Sequence, residues 1–187
     1  MQHQSVDWSS LPQPEDDGAC AHLEGLRLPS LPLKATTGEM VDLAALKGTT
    51  VLYIYPMTAR PDRPLPDGWE AIPGARGCTP QSCSFRDHFA DLKAAGADHL
   101  FGLSTQASDY QLEAAERLHL PFALLSDENR SLATALELPT FEFDGKVLIK
   151  RVTLIIKDGQ IRKSFYPVFP PDKNPADVID WLAEQHT

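Results

Sequence analysis

Two cysteines five positions apart are the residues of this chain whose type and spacing most clearly suggest chemistry. Cys78 and Cys83 stand in the segment Gly-Cys-Thr-Pro-Gln-Ser-Cys, and the residues after them predict a helix, because apolar side chains recur there at helical spacing. If that helix begins at Cys78, the two Cα atoms lie roughly 8 to 9 Å apart, beyond the roughly 7 Å that a disulfide tolerates. The thiols can therefore bond only if the start of the helix unwinds.

The predicted helix gives the two cysteines different environments. A thiol reacts as its thiolate, and the unpaired N–H groups and the dipole of a helix N-terminus favour negative charge there. Cys78 has that position and Cys83 does not. This difference suggests Cys78 as the nucleophile and Cys83 as the thiol that later attacks the oxidised Cys78.

Two other interpretations of the pair compete with this one. Both cysteines could be buried structural residues, as is common for an isolated pair. A zinc site that includes His88 is disfavoured, because steps of five residues turn successive side chains about 140° apart around a helix. The position of the pair after a proline-rich loop, at a strand-to-helix junction, favours a functional role.

An arginine inside an apolar run is the second candidate for chemistry. Residues 147–156 form the longest strand-like run of the chain, and strand alternation puts Arg151 on one face with Ile149 and Thr153. A guanidinium is costly to bury without an anion, and a thiolate could be that anion. The alternative is that Lys150 and Arg151 mark an exposed strand end.

Strands and helices alternate along the rest of the sequence and must position these residues. The predicted elements are an opening hairpin over 26–46, strands over 51–55, 99–104, 122–125, 147–156 and 161–166, helices over 84–96, 110–118 and 127–137, and a C-terminal helix that begins at Pro175. This order predicts a three-layer α/β domain with a mixed sheet. The proline-rich segment 59–72 is predicted to be a long loop, which is either a functional cover or a tolerated insertion. Within this loop, Trp69 either covers the site or lies on the surface.

Length and composition limit the classes of protein that are possible. The chain has 187 residues, of which 42% are hydrophobic, so we expect one domain, over residues 20–187. Residues 1–19 are expected to form a loosely attached acidic, proline-containing arm, which Trp8 could pin to the domain. A net charge of -9 argues against nucleic acid or an anionic membrane as the partner. The first residues do not resemble a secretory signal, so we expect a cytoplasmic protein whose thiols are kept reduced.

The residues quoted above, taken in order, resemble those of peroxiredoxins, and most closely the bacterioferritin comigratory protein, or Q-type, branch. The similarity covers roughly residues 22–186 and rests on the strand that ends at Pro56, on the Gly-Cys-Thr-x-x-x-Cys segment, and on the segments 85–87, 102–105, 122–128 and the strand around Arg151. It implies a thioredoxin-like fold, a peroxidatic Cys78, a resolving Cys83 and an arginine, Arg151, beside the thiolate. It also implies a hydroperoxide substrate, a thioredoxin or glutaredoxin-like reductant, and no metal or other cofactor.

The sequence departs from the family pattern Pro-x-x-x-Thr-x-x-Cys at two positions. Ala71 stands where the proline is expected, and Ala75 stands where the threonine is expected. Pro56 and Thr58 are the displaced counterparts in this interpretation, so that Thr58 supplies the hydroxyl from a different part of the backbone. The expected substrate-binding residues are Pro56, Gly77 and Thr79.

A thiol peroxidase is therefore the function that the sequence predicts. A thiol-disulfide reductase is the main alternative, although such enzymes usually carry Cys-x-x-Cys, which this chain lacks. A redox-sensing binding protein, which would consume peroxide only stoichiometrically, is the other. Because Cys83 lies in the same chain as Cys78, a partner subunit is not required, and we expect a monomer or a weak homodimer.

Overall fold

A seven-stranded mixed sheet forms the centre of the protein in the computed structural model, which describes residues 5–187. The strands are β1 (Pro32–Ala35), β2 (Met40–Asp42), β3 (Thr49–Ile54), β4 (His99–Ser104), β5 (Leu124–Ser126), β6 (Thr140–Phe143), β7 (Lys146–Ile149), β8 (Val152–Lys157) and β9 (Gln160–Phe165). The main sheet has the order β2-β1-β5-β4-β3-β8-β9, and β6 and β7 form a separate hairpin. The pairs β3–β4 and β4–β5 are parallel, and the other pairs are antiparallel.

Among residues 5–187, five α-helices lie around the sheet. They are α1 (Cys78–Asp87), α2 (Phe89–Ala94), α3 (Ser108–Arg117), α4 (Ser131–Ala135) and α5 (Asn174–Glu184), with short 3₁₀ turns at Trp8–Ser10, Trp69–Ala71 and Pro171–Lys173. Successive side chains of a strand point to opposite faces, and β3 shows this clearly. Leu52 and Ile54 join one buried cluster that includes α4, whereas Val51 and Tyr53 join another that includes α1, α2 and α5. The predicted three-layer α/β sandwich is confirmed.

Most of the predicted elements are found, several of them with shifted bounds. The opening hairpin is β1 and β2, the buried strand is β3, and the C-terminal helix is α5. The helix predicted over 84–96 is interrupted at His88. The helix predicted over 127–137 shortens to α4 because Arg130 adopts a left-handed conformation, with a φ of 58°, and the Asp127 carboxylate accepts hydrogen bonds from the N–H groups of Leu132 and Ala133.

The single strand predicted over 147–156 is wrong. β7 pairs with β6, and the N–H of Lys150 still bonds to the carbonyl of Pro139, but β8 begins only at Val152 and pairs with β3 of the main sheet. The chain therefore crosses from one sheet to the other at residues 150–151. Arg151 lies at this crossing and does not share a strand face with Ile149. An apolar run looks the same in sequence whether it stays in one buried sheet or enters two.

The N-terminal arm lies against the domain over its described part. The Trp8 ring meets Phe169 edge-on at 6.0 Å, and its Nε1 donates a hydrogen bond to Asp172. Further along the arm, Asp17 accepts a hydrogen bond from the Tyr166 hydroxyl. Trp8 pins the arm, as the sequence suggested, but the arm is not loose between residues 5 and 19. The domain boundary at residue 20 stays a prediction.

The proline-rich loop over 59–72 contains one deeply buried residue. Trp69 is 2% exposed and packs against Phe141 and Phe143 of the β6–β7 hairpin, so of the two alternatives for this residue the surface position is wrong. Together with Ala75 and Leu148 it forms a small buried cluster, which we call the Trp69 cluster. No helix in the described range 5–187 is long and apolar enough to cross a membrane.

Candidate active site

Cys78 and Arg151 meet in a buried site at the start of α1. Arg151 Nη2 lies 3.2 Å from Cys78 Sγ, and both residues are only 4% exposed. Cys78 is the first residue of α1, where free N–H groups and the helix dipole add to the positive potential. A thiolate at this position is stabilised by a guanidinium and by a helix terminus at once.

Arg151 is held by backbone carbonyls from the segment that leads into α1. Its Nη2 donates to the carbonyl of Ala75 at 3.0 Å and to that of Gly74 at 3.3 Å, while its Nε donates to Gly74 at 3.4 Å. These carbonyls carry no formal charge, so they fix the guanidinium without neutralising it. The positive charge of Arg151 remains available to the sulfur.

Gln81 is a buried partner of Arg151 that the sequence interpretation missed. Its side chain is 0% exposed, and its Oε1 accepts a hydrogen bond of 2.5 Å from Arg151 Nη1. Its Nε2 donates to Asn174 Oδ1 of α5 at 3.1 Å, and the same oxygen accepts from the Thr153 hydroxyl. The spacing was the available signal, because residue 81 lies three positions after Cys78 and therefore on the same helix face.

Gly77 has a packing role in this structure. It precedes α1 with a φ of 117°, a conformation that favours glycine. A Cβ at this position would lie 2.7 Å from Pro171 Cγ and 2.9 Å from the Trp8 ring. The glycine therefore allows the arm and the Pro171 turn to close against the start of α1.

Of the remaining predicted site residues, only Pro56 lies beside Arg151, where both line a cavity that is described below. Thr58 is 1% exposed, and both its N–H and its hydroxyl bond to Gln106 Oε1, at 2.9 and 3.2 Å. Within the described chain, its hydroxyl forms no hydrogen bond with Cys78 or Arg151. Thr79 is half-buried in the first turn of α1, and Pro56 is buried.

The second thiol lies on the next turn of α1 and is not bonded to the first. Cys83 is buried and free, and burial raises the pKa of its thiol while the nearby Arg86 guanidinium opposes that shift. Cys20, the third cysteine, is also buried, which raises its pKa to about 12. Neither thiol lies at the start of an α-helix, as Cys78 does.

The start of α1 is fastened to the segment around residues 171–174. The hydroxyl of Ser84 donates to the carbonyl of Asp172 at 2.6 Å, and Gln81 bonds to Asn174. Trp8 closes the outer side through its bond to Asp172 and its contact with Gly77. A disulfide between Cys78 and Cys83 requires these contacts to open.

A cavity of about 520 Å³ reaches Arg151 from the surface. Its inner wall is formed by Pro56, Ala75 and Arg151, and four arm residues form part of the outer wall, namely Gln13, Pro14, Glu15 and Asp17. Apolar side chains, among them Ile72, Phe141 and Val168, cover much of the remainder. The cavity gives a small ligand a route to the guanidinium beside the thiol.

Comparison with known proteins identifies the family of the chain. The redoxin family model matches residues 23–179. Peroxiredoxin Bcp of Escherichia coli (strain K12) is 33% identical over 161 residues, which cover 83% of this chain and 92% of the relative. The chloroplastic Peroxiredoxin Q of Sedum lineare is 30% identical over 160 residues, which cover 85% of this chain and 77% of the relative.

Solved structures support the fold. The peroxidoxin BcpB of Mycobacterium tuberculosis superposes with a TM-score of 0.70 at 24% identity, covering 87% of this chain and 98% of that one. Peroxiredoxin Q of Xanthomonas campestris gives a TM-score of 0.69 at 23% identity, with the same coverage. The thioredoxin-like fold is thereby confirmed. The chain belongs to the redoxin family and is a peroxiredoxin of the Q/Bcp type, a thiol-dependent peroxidase.

Proposed function

We propose that Cys78 is the peroxidatic cysteine of this peroxidase and that Arg151 stabilises its thiolate and the departing oxygen. The observation that carries the proposal is the 3.2 Å contact between Arg151 Nη2 and Cys78 Sγ at the first residue of α1. Donors already aimed at developing charge are commonly the largest catalytic contribution. The uncharged carbonyls around Arg151 leave its charge free for that role.

The first step is a displacement at the peroxide. The Cys78 thiolate attacks one oxygen, the O–O bond breaks, and the other oxygen leaves with a proton as water or an alcohol. Cys78 is left as a sulfenic acid. Cys83 then attacks the Cys78 sulfur after the first turn of α1 unwinds, water leaves, and an intramolecular disulfide forms. An external dithiol returns both sulfurs to thiols by exchange.

Thr58 is the proposed second donor to the peroxide, in place of the threonine that Ala75 replaces. In the described structure its hydroxyl bonds to Gln106, so it must turn away from Gln106 to act. Thr58→Val is expected to oxidise much more slowly while both cysteines stay titratable. Thr50→Val is the matched control, because Thr50 is equally buried on β3 and is not part of the site. Normal kinetics of the Thr58 variant would transfer the role to Thr79 or to water.

The proposed substrates are hydrogen peroxide and organic hydroperoxides. The bacterioferritin comigratory protein of Xanthomonas campestris is described as having alkyl peroxide reduction activity. The cavity beside Arg151, with its apolar walls, leaves room for an alkyl group. The proposed reductant is thioredoxin or a glutaredoxin-like dithiol, and the proposed state is a cytoplasmic monomer or weak homodimer.

A coupled assay with thioredoxin, thioredoxin reductase and NADPH tests the cycle. Steady NADPH consumption on addition of peroxide is expected. Cys78→Ser should abolish it, whereas Cys83→Ser should still permit one oxidation and accumulate a sulfenic acid that dimedone labels. Equal loss of the first oxidation in both variants would refute the assigned roles. If a Cys78–Cys83 disulfide forms but no dithiol supports turnover, the chain acts as a redox sensor.

A further inference from the structure

A second cavity lies beneath the proline-rich loop, away from the thiols. This loop cleft has a volume of about 690 Å³ and lies between the loop and the β6–β7 hairpin. Its apolar lining includes Met57, Phe143 and Leu148. Leu148 also belongs to the Trp69 cluster, as does Ala75, whose carbonyl binds Arg151. That cluster lies between the loop cleft and the Cys78 site.

Four cationic side chains line the loop cleft in a chain whose net charge is -9. They are Arg60, Arg63, Arg130 and Lys146. The acidic lining residues are Glu128 and Asp144, so the lining carries two more positive charges than negative ones. Positive potential is concentrated here against the overall charge of the protein.

These cations have hydrogen-bond donors to spare. Three of the four are exposed at the rim of the cleft, namely Arg63, Arg130 and Lys146. None of these three forms an ion pair within the described chain. Arg60 lies deeper, stacked at 5.5 Å over the Tyr110 ring and 3.3 Å from the exposed Asp62. The 3.3 Å contact is made by its Nε, which is buried and has no hydrogen-bond partner among residues 5–187, so Asp62 pairs with Arg60 through charge alone.

We propose that the loop cleft binds an amphiphile with an oxyanion headgroup, a carboxylate or a phosphate, and an apolar body. Guanidinium groups present a fork of donors that matches either oxyanion. The apolar side chains behind the rim receive the body of the ligand, and Arg60 lies where the two regions meet. This site goes beyond the proposed peroxidase cycle, because neither cysteine nor Arg151 lines the loop cleft, and Thr58, the proposed second donor to the peroxide, is shared by the two sites.

Calorimetric titration of the reduced full-length protein tests the proposal. The probes are octanoate, octyl phosphate, 1-octanol and octyltrimethylammonium. Both anions are expected to bind, with 1-octanol at least about tenfold weaker, since loss of a charge-assisted contact of about 1.5 kcal/mol or more corresponds to that factor. The cationic amphiphile is expected not to bind. Tighter binding of either anion identifies which oxyanion the cleft prefers, and both outcomes support the site.

Variants at the rim separate this site from nonspecific binding. The double variant Arg60→Gln and Arg63→Gln should weaken anion binding about tenfold or more while peroxidase turnover remains normal. Arg162→Gln is the matched control, because Arg162 is an exposed arginine on β9 outside the cleft. Equal affinity for octanoate and 1-octanol would overturn the proposal. Inorganic phosphate that binds as tightly as octyl phosphate would also overturn it.

Discussion

Replacing Gln81 with methionine should slow the oxidation of Cys78 more than it destabilises the fold. The substitution keeps the length and the burial of the side chain but removes the oxygen that accepts from Arg151 Nη1. It also removes the donor to Asn174, although Asn174 Oδ1 still accepts from Thr153. The principal loss is therefore one buried bond to a charged guanidinium.

The size of the effect follows from that bond. A hydrogen bond to a charged group contributes about 1.5 to 3 kcal/mol, and each ~1.4 kcal/mol on a barrier is a factor of about ten. Arg151 keeps its bonds to the carbonyls of Gly74 and Ala75, so the guanidinium is loosened and not released. We expect the second-order rate constant for oxidation to fall about tenfold, at the lower end of this range.

Stopped-flow measurement of the first oxidation, alongside urea unfolding of the reduced protein, separates the two effects. Ser82→Ala is the matched control, because it removes a buried hydrogen bond on the same helix, the 2.9 Å bond to the Tyr53 hydroxyl, without touching Arg151. The control should lose stability and keep its oxidation rate. If Gln81→Met loses only stability, or if both variants slow alike, Gln81 does not position Arg151 for catalysis.

Two further predictions concern disulfide formation. Trp8→Ala removes the ring that covers Gly77 and the bond to Asp172, so α1 should unwind more readily. Quenched-flow analysis should then show faster disulfide formation, and mass spectrometry should show less sulfinic acid at excess peroxide. An unchanged ratio of disulfide to sulfinic acid would contradict this. Burial raises the pKa of Cys83, so its thiol stays protonated to a higher pH than an ordinary thiol. Because the thiolate is the attacking species and its fraction grows about tenfold per pH unit below the pKa, disulfide formation should accelerate with pH by about that factor, and a flat profile would refute the prediction.

The sequence singled out the cysteine pair and the arginine of the candidate site because each has a signal in residue type. A cysteine at a helix start and a charged residue in an apolar run are visible without coordinates. The hydrogen bonds that hold Arg151 cannot be predicted from the sequence, because backbone carbonyls such as those of Gly74 and Ala75 have no signature in side-chain identity. The crossing at residues 150–151 was missed for a related reason, since hydrophobicity reports burial but not which sheet buries the strand.

The packing around residue 75 gives a physical reason for alanine at this position, where the family pattern has threonine. Ala75 is 1% exposed and packs in the Trp69 cluster, so the surroundings of its side chain are apolar. A hydroxyl there would have to find a partner among apolar side chains, which is costly. The backbone carbonyl of Ala75, in contrast, points to Arg151 and lies 3.8 Å from Cys78 Sγ. The residue serves the site through its backbone.

The same contacts couple oxidation to the unwinding that must follow it. Gln81 bonds to Arg151 on one side and to Asn174 of α5 on the other, so unwinding of the first turn of α1 releases the guanidinium from Gln81. While Cys78 is a thiolate, its charge-assisted contact with Arg151 opposes that release, and such contacts are about twice as strong as neutral ones. Oxidation to a sulfenic acid removes the negative charge and therefore weakens this hold. In the proposed cycle, the chemical step itself lowers the cost of unwinding, so α1 stays wound until the thiol that needs resolution has reacted.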